Sequence, residues 1–229
     1  MGKTNDTGPP ARAGVTQIES ELGHAMSSPE IYLASKSPRR HELLRQIGID
    51  FTEFRLREAA GREPDVPETP REGETAQEYV ERIARTKAAI AWHRMGQRRM
   101  PPRPMLGADT EVALDGTVFG KPADAADAVR MLSLLSDRTH DVLTAVAVRW
   151  EHAFEIALSS SKVTFRALTR AEIERYVATG EPFGKAGAYA IQGRAAAFVR
   201  RLEGSYSGVM GLPLYETAAV LARIGFPVL

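Results

Sequence analysis

Hydrophobic and polar positions follow two periods along this chain, and each period predicts one kind of element. The short apolar run 31–34 is typical of a buried strand, and residues 142–150 and 154–165 alternate as two long strands. Residues 38–47 instead place their apolar side chains at helical spacing, directly after Ser37, an expected helix cap. The two periods alternate, so the pattern predicts strands and helices mixed along the chain.

Turn and capping signals extend this pattern through the rest of the chain. Thr75 with Glu78, and Thr169 with Glu172, have the spacing of capping boxes, and Asp115-Gly116 predicts a hairpin turn. The further helices expected are 75–92, 124–135, 169–179 and 212–224, and the further strands are 51–56, 105–106, 112–114, 188–191 and 197–202. Neighbouring long strands predict an α/β fold with a mixed rather than a purely parallel sheet.

Composition narrows the classes of function. The 229 residues are 43% hydrophobic and 26% charged, which is ordinary for one large or two small globular domains. There is no cysteine, which excludes disulfides, thiolate metal sites and a cysteine nucleophile. The formal net charge of +1 lacks the basic excess expected of a protein that binds duplex nucleic acid. No apolar run reaches the ~20 residues of a transmembrane helix, so no membrane partner is expected.

Two polar segments carry no periodicity. Residues 1–29 are rich in Gly, Thr, Ser and Pro and lack the apolar core of a signal peptide. We expect a disordered extension there, one folded domain over 30–229 and a cytoplasmic location.

Residues 93–104 hold several arginines and prolines. A solvated surface loop is the favoured interpretation of that segment, and a nucleic-acid patch is the alternative.

The segment Ala34-Ser-Lys-Ser-Pro-Arg-Arg40 leads from a strand into a helix, and it places Arg39 and Arg40 in the first helical turn. Free backbone N–H groups at a helix N-terminus attract anions, and a cation in that turn opposes the helix dipole unless a ligand compensates. The segment predicts either a phosphate cradle or two solvated arginines, and alone it does not decide between them.

A second segment carries a candidate catalytic acid. Asp109, in Gly107-Ala-Asp109-Thr110, lies among small residues beside a predicted strand. A carboxylate at such a place can hold Mg²⁺ or activate water. Lys121, in the turn Gly120-Lys121-Pro122, can be directed at a phosphate. A hairpin with a turn-forming Asp is the alternative interpretation.

A third segment, residues 184–193, contains three glycines, which let a ligand or another backbone approach closely. Lys185 offers a positive charge there, and Gln192 offers an amide that can read a base edge through paired hydrogen bonds. Glycine-rich segments are common in loops, so this signal alone is weak.

Taken in order, these motifs closely resemble those of the Maf family of nucleoside triphosphate pyrophosphatases. The series is Leu-Ala-Ser-x-Ser-Pro-Arg-Arg-x-Glu-Leu-Leu, Gly-Ala-Asp-Thr, Gly-Lys-Pro and Lys-Ala-Gly-Ala-Tyr-x-Ile-Gln-Gly, followed by residues 204–214. The resemblance implies hydrolysis of a nucleoside triphosphate to the monophosphate and pyrophosphate with a divalent metal, Mg²⁺ or Mn²⁺. It also implies an inosine triphosphate pyrophosphatase-like fold, a long curved mixed sheet in two lobes with a central cleft. Family analogy alone implies a homodimer.

The Ser-Pro-Arg-Arg, Ala-Asp-Thr and Ile-Gln-Gly set is similar to the branch of the family that acts on dTTP and UTP. In that branch Asp109 corresponds to the general base and, with Glu58, to a metal ligand. The resemblance assigns base selectivity to Arg39, Thr110 and Gln192, and triphosphate binding to Arg40, Lys87, Lys121 and Lys185.

Two positions depart from the family pattern. Arg57-Glu58 stands where the family has Asp-Glu, and Gly184 stands where it usually has Asp. The family is also associated with cell division and septum formation. A nucleotide-binding regulator with little or no catalysis is therefore the alternative hypothesis, motivated by Gly184 and the amino-terminal segment. The sequence does not rank one pyrimidine nucleotide above another.

Overall fold

A mixed β-sheet organises the chain in the computed structural model, which describes residues 1–2, 30–57 and 63–228. The strands are β1 (Glu30–Leu33), β2 (Asp50–Glu53), β3 (Met105–Leu114), β4 (Thr117–Phe119), β5 (Thr139–Trp150), β6 (Ala153–Phe165) and β7 (Val199–Glu203). Their order is β2-β1-β3-β5-β6-β7, with β4 paired to β3. Strand β1 runs parallel to β2 and β3, whereas the other pairs are antiparallel. The predicted mixed α/β sheet is confirmed.

The helices connect and cover these strands. They are α1 (Pro38–Gln46), α2 (Ala76–Gln97), α3 (Ala125–Leu135), α4 (Arg170–Val177), α5 (Tyr206–Met210) and α6 (Leu214–Arg223), with short 3₁₀ turns at Ala186–Ala188 and Arg194–Phe198. No helix within the described ranges is long and apolar enough to cross a membrane.

Local signals account for several helix starts. Both predicted capping boxes are present, with Thr75 and Thr169 each exchanging hydrogen bonds with the Glu three residues later. The Asp124 carboxylate caps α3 by accepting from the backbone N–H of Asp127 at 2.8 Å. Ser37 occupies the N-cap position of α1 and Pro38 the first helical position, as predicted, but the expected side-chain cap is wrong, because the Ser37 hydroxyl makes no capping hydrogen bond.

Several predicted elements have different bounds, among them the strand predicted at 51–56, which ends at Glu53. Helix α2 continues to Gln97, so the predicted loop at 93–104 is helical in its first half. Met95 is buried there and Arg94 pairs with Asp65, and these tertiary contacts sustain the extra turn. The expected strands at 105–106 and 112–114 are parts of the single strand β3.

The strand predicted at 188–191 is wrong. Gly187 and Ala188 have positive φ angles of 67° and 58°, which a strand does not accept, and the segment forms a turn. The five-residue helix α5 was not predicted, because Gly208 lies in its middle and weakens the helical signal.

The edge of β3 is interrupted next to the candidate residue Asp109. Strand β1 pairs with β3 only at Met105 and Leu106, and β4 pairs only with 112–114. Between these pairings, residues 107–111 have no strand partner on that side within the described part of the chain, although β5 pairs with them continuously on the other. Side chains and backbone groups of this gap are therefore open to groups from neighbouring loops and helices.

Buried apolar residues form separate clusters. One joins β3 and β5 to α3 and α4 around Phe165, and another joins β1, α1 and α6 around Leu33 and Leu221. A third packs α2 against β5 through Ile83, Ala84 and neighbouring alanines. Most of the predicted extension 1–29, and the predicted metal ligand Glu58, lie outside the described residues.

His140 belongs to the core around Phe165 and makes stability depend on pH. It is 1% exposed, its Nε2 lies 2.9 Å from the Tyr189 hydroxyl, and burial lowers its pKa from 6.5 to about 4. The folded state therefore binds fewer protons than the unfolded state between these two values. Stability falls as the pH decreases through this window, by about 2 kcal/mol between about pH 7.5 and about pH 5.

His140→Phe should flatten this dependence, because a phenyl ring cannot take up a proton. Urea unfolding of both proteins over this pH range measures the difference in slope. The exposed His152 provides the control, and His152→Gln should keep the native slope. Equal slopes for native protein and His140→Phe would contradict the prediction.

Candidate active site

A cavity of about 670 Å³ lies beside the gap in β3. All of the site residues predicted from the sequence that fall in the described ranges line it: Arg39, Arg40, Lys87, Asp109, Thr110, Lys121, Lys185 and Gln192. They come from β3, α1, α2 and two loops that are far apart in sequence. The structure therefore brings the separate motifs to one place, while the role of each residue stays a prediction.

The centre of the cavity wall is an ion pair between helix α2 and strand β3. The Lys87 Nζ donates to Asp109 Oδ1 at 2.7 Å, and Asp109 is only 8% exposed. The close approach of the two elements depends on Gly107, where a Cβ would lie 2.6 Å from the Ala84 carbonyl oxygen. Residue 107 therefore has to be glycine for Lys87 to reach Asp109 in this arrangement.

Glu68 also lines the cavity, and no sequence pattern predicts it there. Its carboxylate lies 2.7 Å from Lys87 Nζ and 3.3 Å from Lys121 Nζ, and it lines the cavity. Burial raises the pKa of Glu68, but the two lysines outweigh burial and lower it to about 2. No periodic signal marks Glu68 because it lies in a loop, and its place depends on long-range contacts such as those of the buried Asp65 with Arg57 and Arg94.

The two arginines of the predicted phosphate cradle have different surroundings. Arg40 is buried, and it donates to Gly211 O at 2.7 Å, Ala108 O at 2.9 Å, Ser35 Oγ at 3.2 Å and Thr110 Oγ1 at 3.3 Å. These bonds use four of the five guanidinium donors. Arg40 therefore holds α1 against the gap in β3, although its side chain also lines the cavity.

Arg39 is the arginine available to a ligand. It is half-buried at the cavity, and its guanidinium makes no hydrogen bond within the described residues. Burial lowers the pKa of Arg39, and Glu42 partly opposes that effect. A cation partly removed from water without an ion-pair partner is well suited to bind an anion.

Thr110 faces away from Asp109 and belongs to a small hydroxyl network. The Thr144 hydroxyl donates to the Gly208 carbonyl oxygen at 2.8 Å, and its Oγ1 lies 3.0 Å from Thr110 Oγ1, within hydrogen-bond distance. Together with the bond from Arg40, this network fixes the Thr110 side chain. Thr110 thus presents a defined hydroxyl at the cavity.

The glycine-rich loop forms another side of the cavity. Gly187 N donates to Gly120 O at 3.2 Å, and a Cβ at Gly187 would lie 2.8 Å from Val112. These contacts dock the loop that carries Lys185 against the hairpin that precedes Lys121. Two cationic side chains, far apart in sequence, are thereby brought to the same cavity.

Gln192 is exposed and makes no side-chain hydrogen bond among the residues that the structure describes. Phe183 and Tyr189, from the same part of the chain, add aromatic surface to the cavity. Gly184 has φ of +73°, and a Cβ there would meet nothing within 4 Å. The site therefore has open space where the resemblance leads one to expect an Asp side chain.

Glu111, also not predicted, lies on the same face of β3 as Asp109. Burial and the negative charge of Asp109 raise the pKa of Glu111 to about 8, although Lys121 opposes the shift. Its Oε2 atom is buried without a hydrogen-bond partner within the described structure. A neutral carboxyl group therefore lies beside Asp109 at neutral pH.

The donor set can be tested against the divalent cation that the resemblance implies. No group of three or more Asp, Glu or His side chains within 30–57 and 63–228 has the geometry of a metal site. Asp109 and Glu68 both offer carboxylate oxygens at the cavity. Mg²⁺ is commonly held by one or two carboxylates together with substrate phosphates. The residues present fit a cation that the substrate helps to bind.

The sheet, with a cation-lined cavity at an interrupted strand edge, defines an α/β protein with a site for an anionic ligand. A family model described as "Maf-like protein" matches residues 30–224, and the chain belongs to this family. Family membership and the mixed sheet confirm the predicted fold class.

Several relatives are similar over most of the chain. The "dTTP/UTP pyrophosphatase" of Aromatoleum aromaticum is 53% identical over 198 residues, covering 86% of this chain and 96% of that protein. The protein of the same name from Nitrosospira multiformis is 56% identical over 191 residues, covering 83% and 92%. Among solved structures, the Ham1 protein of Staphylococcus aureus matches with a TM-score of 0.41 and 18% identity, over 59% of this chain and 71% of that one.

The contact between α2 and β3 generates a prediction about Gly107. Gly107→Ala should force the helix away from the strand and destabilise the fold by ~1–3 kcal/mol. It should also lengthen the distance between Lys87 and Asp109. Chemical unfolding measures the first effect. The matched control is Gly96→Ala in helix α2, where a Cβ meets nothing within 4 Å. The stability of this variant should equal that of the native protein or rise slightly. Equal stability of the two variants would contradict the prediction.

Proposed function

We propose that this protein hydrolyses dTTP and UTP to the nucleoside monophosphate and pyrophosphate. The observation that carries the proposal is the placement of Asp109 among lysines and Arg39 in the cavity that Gln192 also lines. The names of relatives at more than half identity support the choice of substrate. The alternative, a nucleotide-binding regulator of cell division, has no comparable support from the site.

The cationic side chains suit a triphosphate. A nucleoside triphosphate carries about four negative charges near neutral pH, and charge-assisted hydrogen bonds to Lys and Arg are the strong ones. Arg39, Lys121 and Lys185 line the cavity, and each lysine keeps at least one ammonium N–H for phosphate oxygens beyond its contacts with protein oxygens. Their positive charges also stabilise negative charge that develops on the leaving pyrophosphate.

Asp109 is the proposed general base. Attack by water on the α-phosphorus forms a new P–O bond and breaks the bond from this phosphorus to the α,β-bridging oxygen, which leaves with pyrophosphate. Asp109 accepts a proton of the attacking water. Lys87 holds Asp109 Oδ1, so the other carboxylate oxygen remains for the water. Glu111, being neutral beside Asp109, adds no second negative charge next to the incoming phosphates.

We further propose that the reaction requires Mg²⁺ or Mn²⁺, held by Asp109 and Glu68 together with the phosphates. A divalent cation, when bound, neutralises phosphate charge and polarises the oxygens that it contacts. Lys87 lies within 2.7 Å of both carboxylates and keeps them at one place before substrate arrives. Glu58, which the family resemblance implies as a ligand, remains a third candidate.

Gln192 is the proposed reader of the base. Its amide can donate to O4 and accept from N3–H of uracil or thymine, because one amide supplies both a donor and an acceptor. The aromatic rings of Phe183 and Tyr189 provide apolar surface for a planar base. A purine presents a different hydrogen-bonding pattern and a larger shape.

The function is tested by pyrophosphate release from the common nucleoside triphosphates with Mg²⁺ or Mn²⁺. We expect dTTP and UTP to be the best substrates. Asp109→Asn should lower turnover by roughly a hundredfold or more while nucleotide binding persists. The variant's fold is checked by thermal unfolding. Absence of pyrophosphate release from every nucleotide by folded native protein would contradict the proposed function, and full turnover in Asp109→Asn would exclude this residue as the base.

Gln192→Ala tests base recognition separately from chemistry. Since Gln192 is exposed and makes no hydrogen bond within the described protein, its loss should leave stability unchanged. The preference for dTTP over CTP should fall by roughly tenfold, which corresponds to the loss of about one hydrogen-bonded contact. Ratios of kcat/KM for the two nucleotides give the measurement. An equal loss on both nucleotides would show that Gln192 does not read the base.

A further inference from the structure

Glu181 is the hub of a hydrogen-bond network next to Gln192. Its Oε1 accepts from the Tyr176 hydroxyl at 2.9 Å and from the backbone N–H of Ala195 at 3.4 Å. Its Oε2 accepts from the backbone N–H of Arg194 at 3.1 Å. A single carboxylate therefore binds helix α4 to the chain just after Gln192.

Tyr176 extends the network to the chain before Gln192. Its hydroxyl accepts from the backbone N–H of Ala190 at 3.2 Å while donating to Glu181. The ring is buried against Phe198, with the ring centres 5.1 Å apart. We call Tyr176 and Glu181 together the bracket, because they hold both ends of the segment 190–195.

Gly193 shows how tightly the segment fits against the bracket. A Cβ at this position would lie 2.4 Å from Glu181 Oε1 and 2.5 Å from its Cδ. Gly193 has a negative φ of −104°, so its glycine is required by this close approach and not by a left-handed backbone. The backbone next to Gln192 therefore packs directly against the Glu181 carboxylate.

The same residue also holds a cation of the site. The main-chain oxygen of Glu181 accepts from Lys185 Nζ at 2.5 Å. Lys185 lines the cavity together with Gln192. The side chain of Glu181 therefore fixes the proposed base reader, and its backbone fixes a proposed phosphate ligand.

We propose that Glu181 is a positioning residue for base selection: its carboxylate, with Tyr176, fixes the backbone of 190–195 so that the Gln192 amide points into the cavity in one orientation. This inference rests on the proposed function of Gln192. A carboxylate that accepts several N–H and O–H bonds makes strong, directional contacts. A preorganised loop discriminates better than a mobile one, since ordering it costs nothing when the base binds.

The inference is tested with Glu181→Ala, assayed on dTTP, UTP and CTP beside the native enzyme. Loss of the bracket should lower kcat/KM for dTTP by roughly tenfold to a hundredfold, mainly through KM, and reduce the dTTP:CTP ratio toward one. Inhibition by tripolyphosphate, which lacks a base, should stay within about twofold of native. The matched control is Glu174→Ala, at an exposed carboxylate of the preceding helix α4 whose ion pair within the described residues is with Arg170, and it should behave as native.

Two further variants keep the test valid if Glu181→Ala does not fold. Tyr176→Phe removes only the hydroxyl that joins Ala190 to Glu181, and Gly193→Ala keeps the bracket but forces the segment off it. Both should lower the dTTP:CTP ratio. Glu181→Gln, which keeps one acceptor oxygen, should restore part of the ratio lost in Glu181→Ala.

The outcomes separate this inference from the proposed function. If the native enzyme shows no preference for dTTP and UTP, the proposed function fails. If the native enzyme is selective and the folded variants keep the native dTTP:CTP ratio, only the positioning role is overturned. An equal loss on all nucleotides and on tripolyphosphate would also overturn it, because that result describes general damage to the cavity.

Discussion

The ion pair between Lys87 and Asp109 is the interaction on which the site depends. Both groups are largely removed from water, and leaving one partner of such a pair uncompensated costs about 3–5 kcal/mol. The pair forms because residues 107–111 of β3 are paired with a strand on one side only within the described structure, and because Gly107 lets α2 approach. The close packing of α2 against β3 and the placement of the two charges therefore depend on each other. The cavity lies where the sheet edge is interrupted.

The basic residues around this pair divide into two kinds. Arg40 and Lys87 are bound to protein groups and hold elements together. Arg39 makes no hydrogen bond within the described residues and lies at the cavity. A motif of two adjacent arginines therefore contains one residue that builds the site and one that is free to contact a ligand. The sequence alone, which shows only two adjacent cations in a helix turn, does not separate these two duties.

Local signals explain what could be predicted. The capping boxes at Thr75 and Thr169, the turn at Asp115-Gly116 and the alternation of β5 and β6 depend on neighbouring residues, and each is present. The bend around Gly187 and the last turn of α2 depend on distant partners, Val112 and Asp65, and were predicted wrongly.

The same distinction holds for the site. The ordered motifs named the residues that gather around the cavity, because each motif is contiguous in sequence. Glu68, Glu111 and Glu181 were not predicted, since the surroundings of each arise from tertiary packing and burial and not from a local sequence pattern. Glu68 lies in a loop without periodicity, Glu111 occupies an ordinary strand position, and Glu181 follows a helix as a common polar residue. Only the folded structure shows that all three carboxyl groups are at least partly removed from water. It also shows that each lies next to a candidate site residue.

The central claim is that water attacks the α-phosphorus of a pyrimidine nucleoside triphosphate at Asp109. Hydrolysis of dTTP in water enriched in the heavy oxygen isotope tests it most directly, with mass analysis of both products. The account predicts one labelled oxygen in the nucleoside monophosphate and none in the pyrophosphate. Label in the pyrophosphate, or release of labelled inorganic phosphate, would place the attack at a different phosphorus and contradict the account.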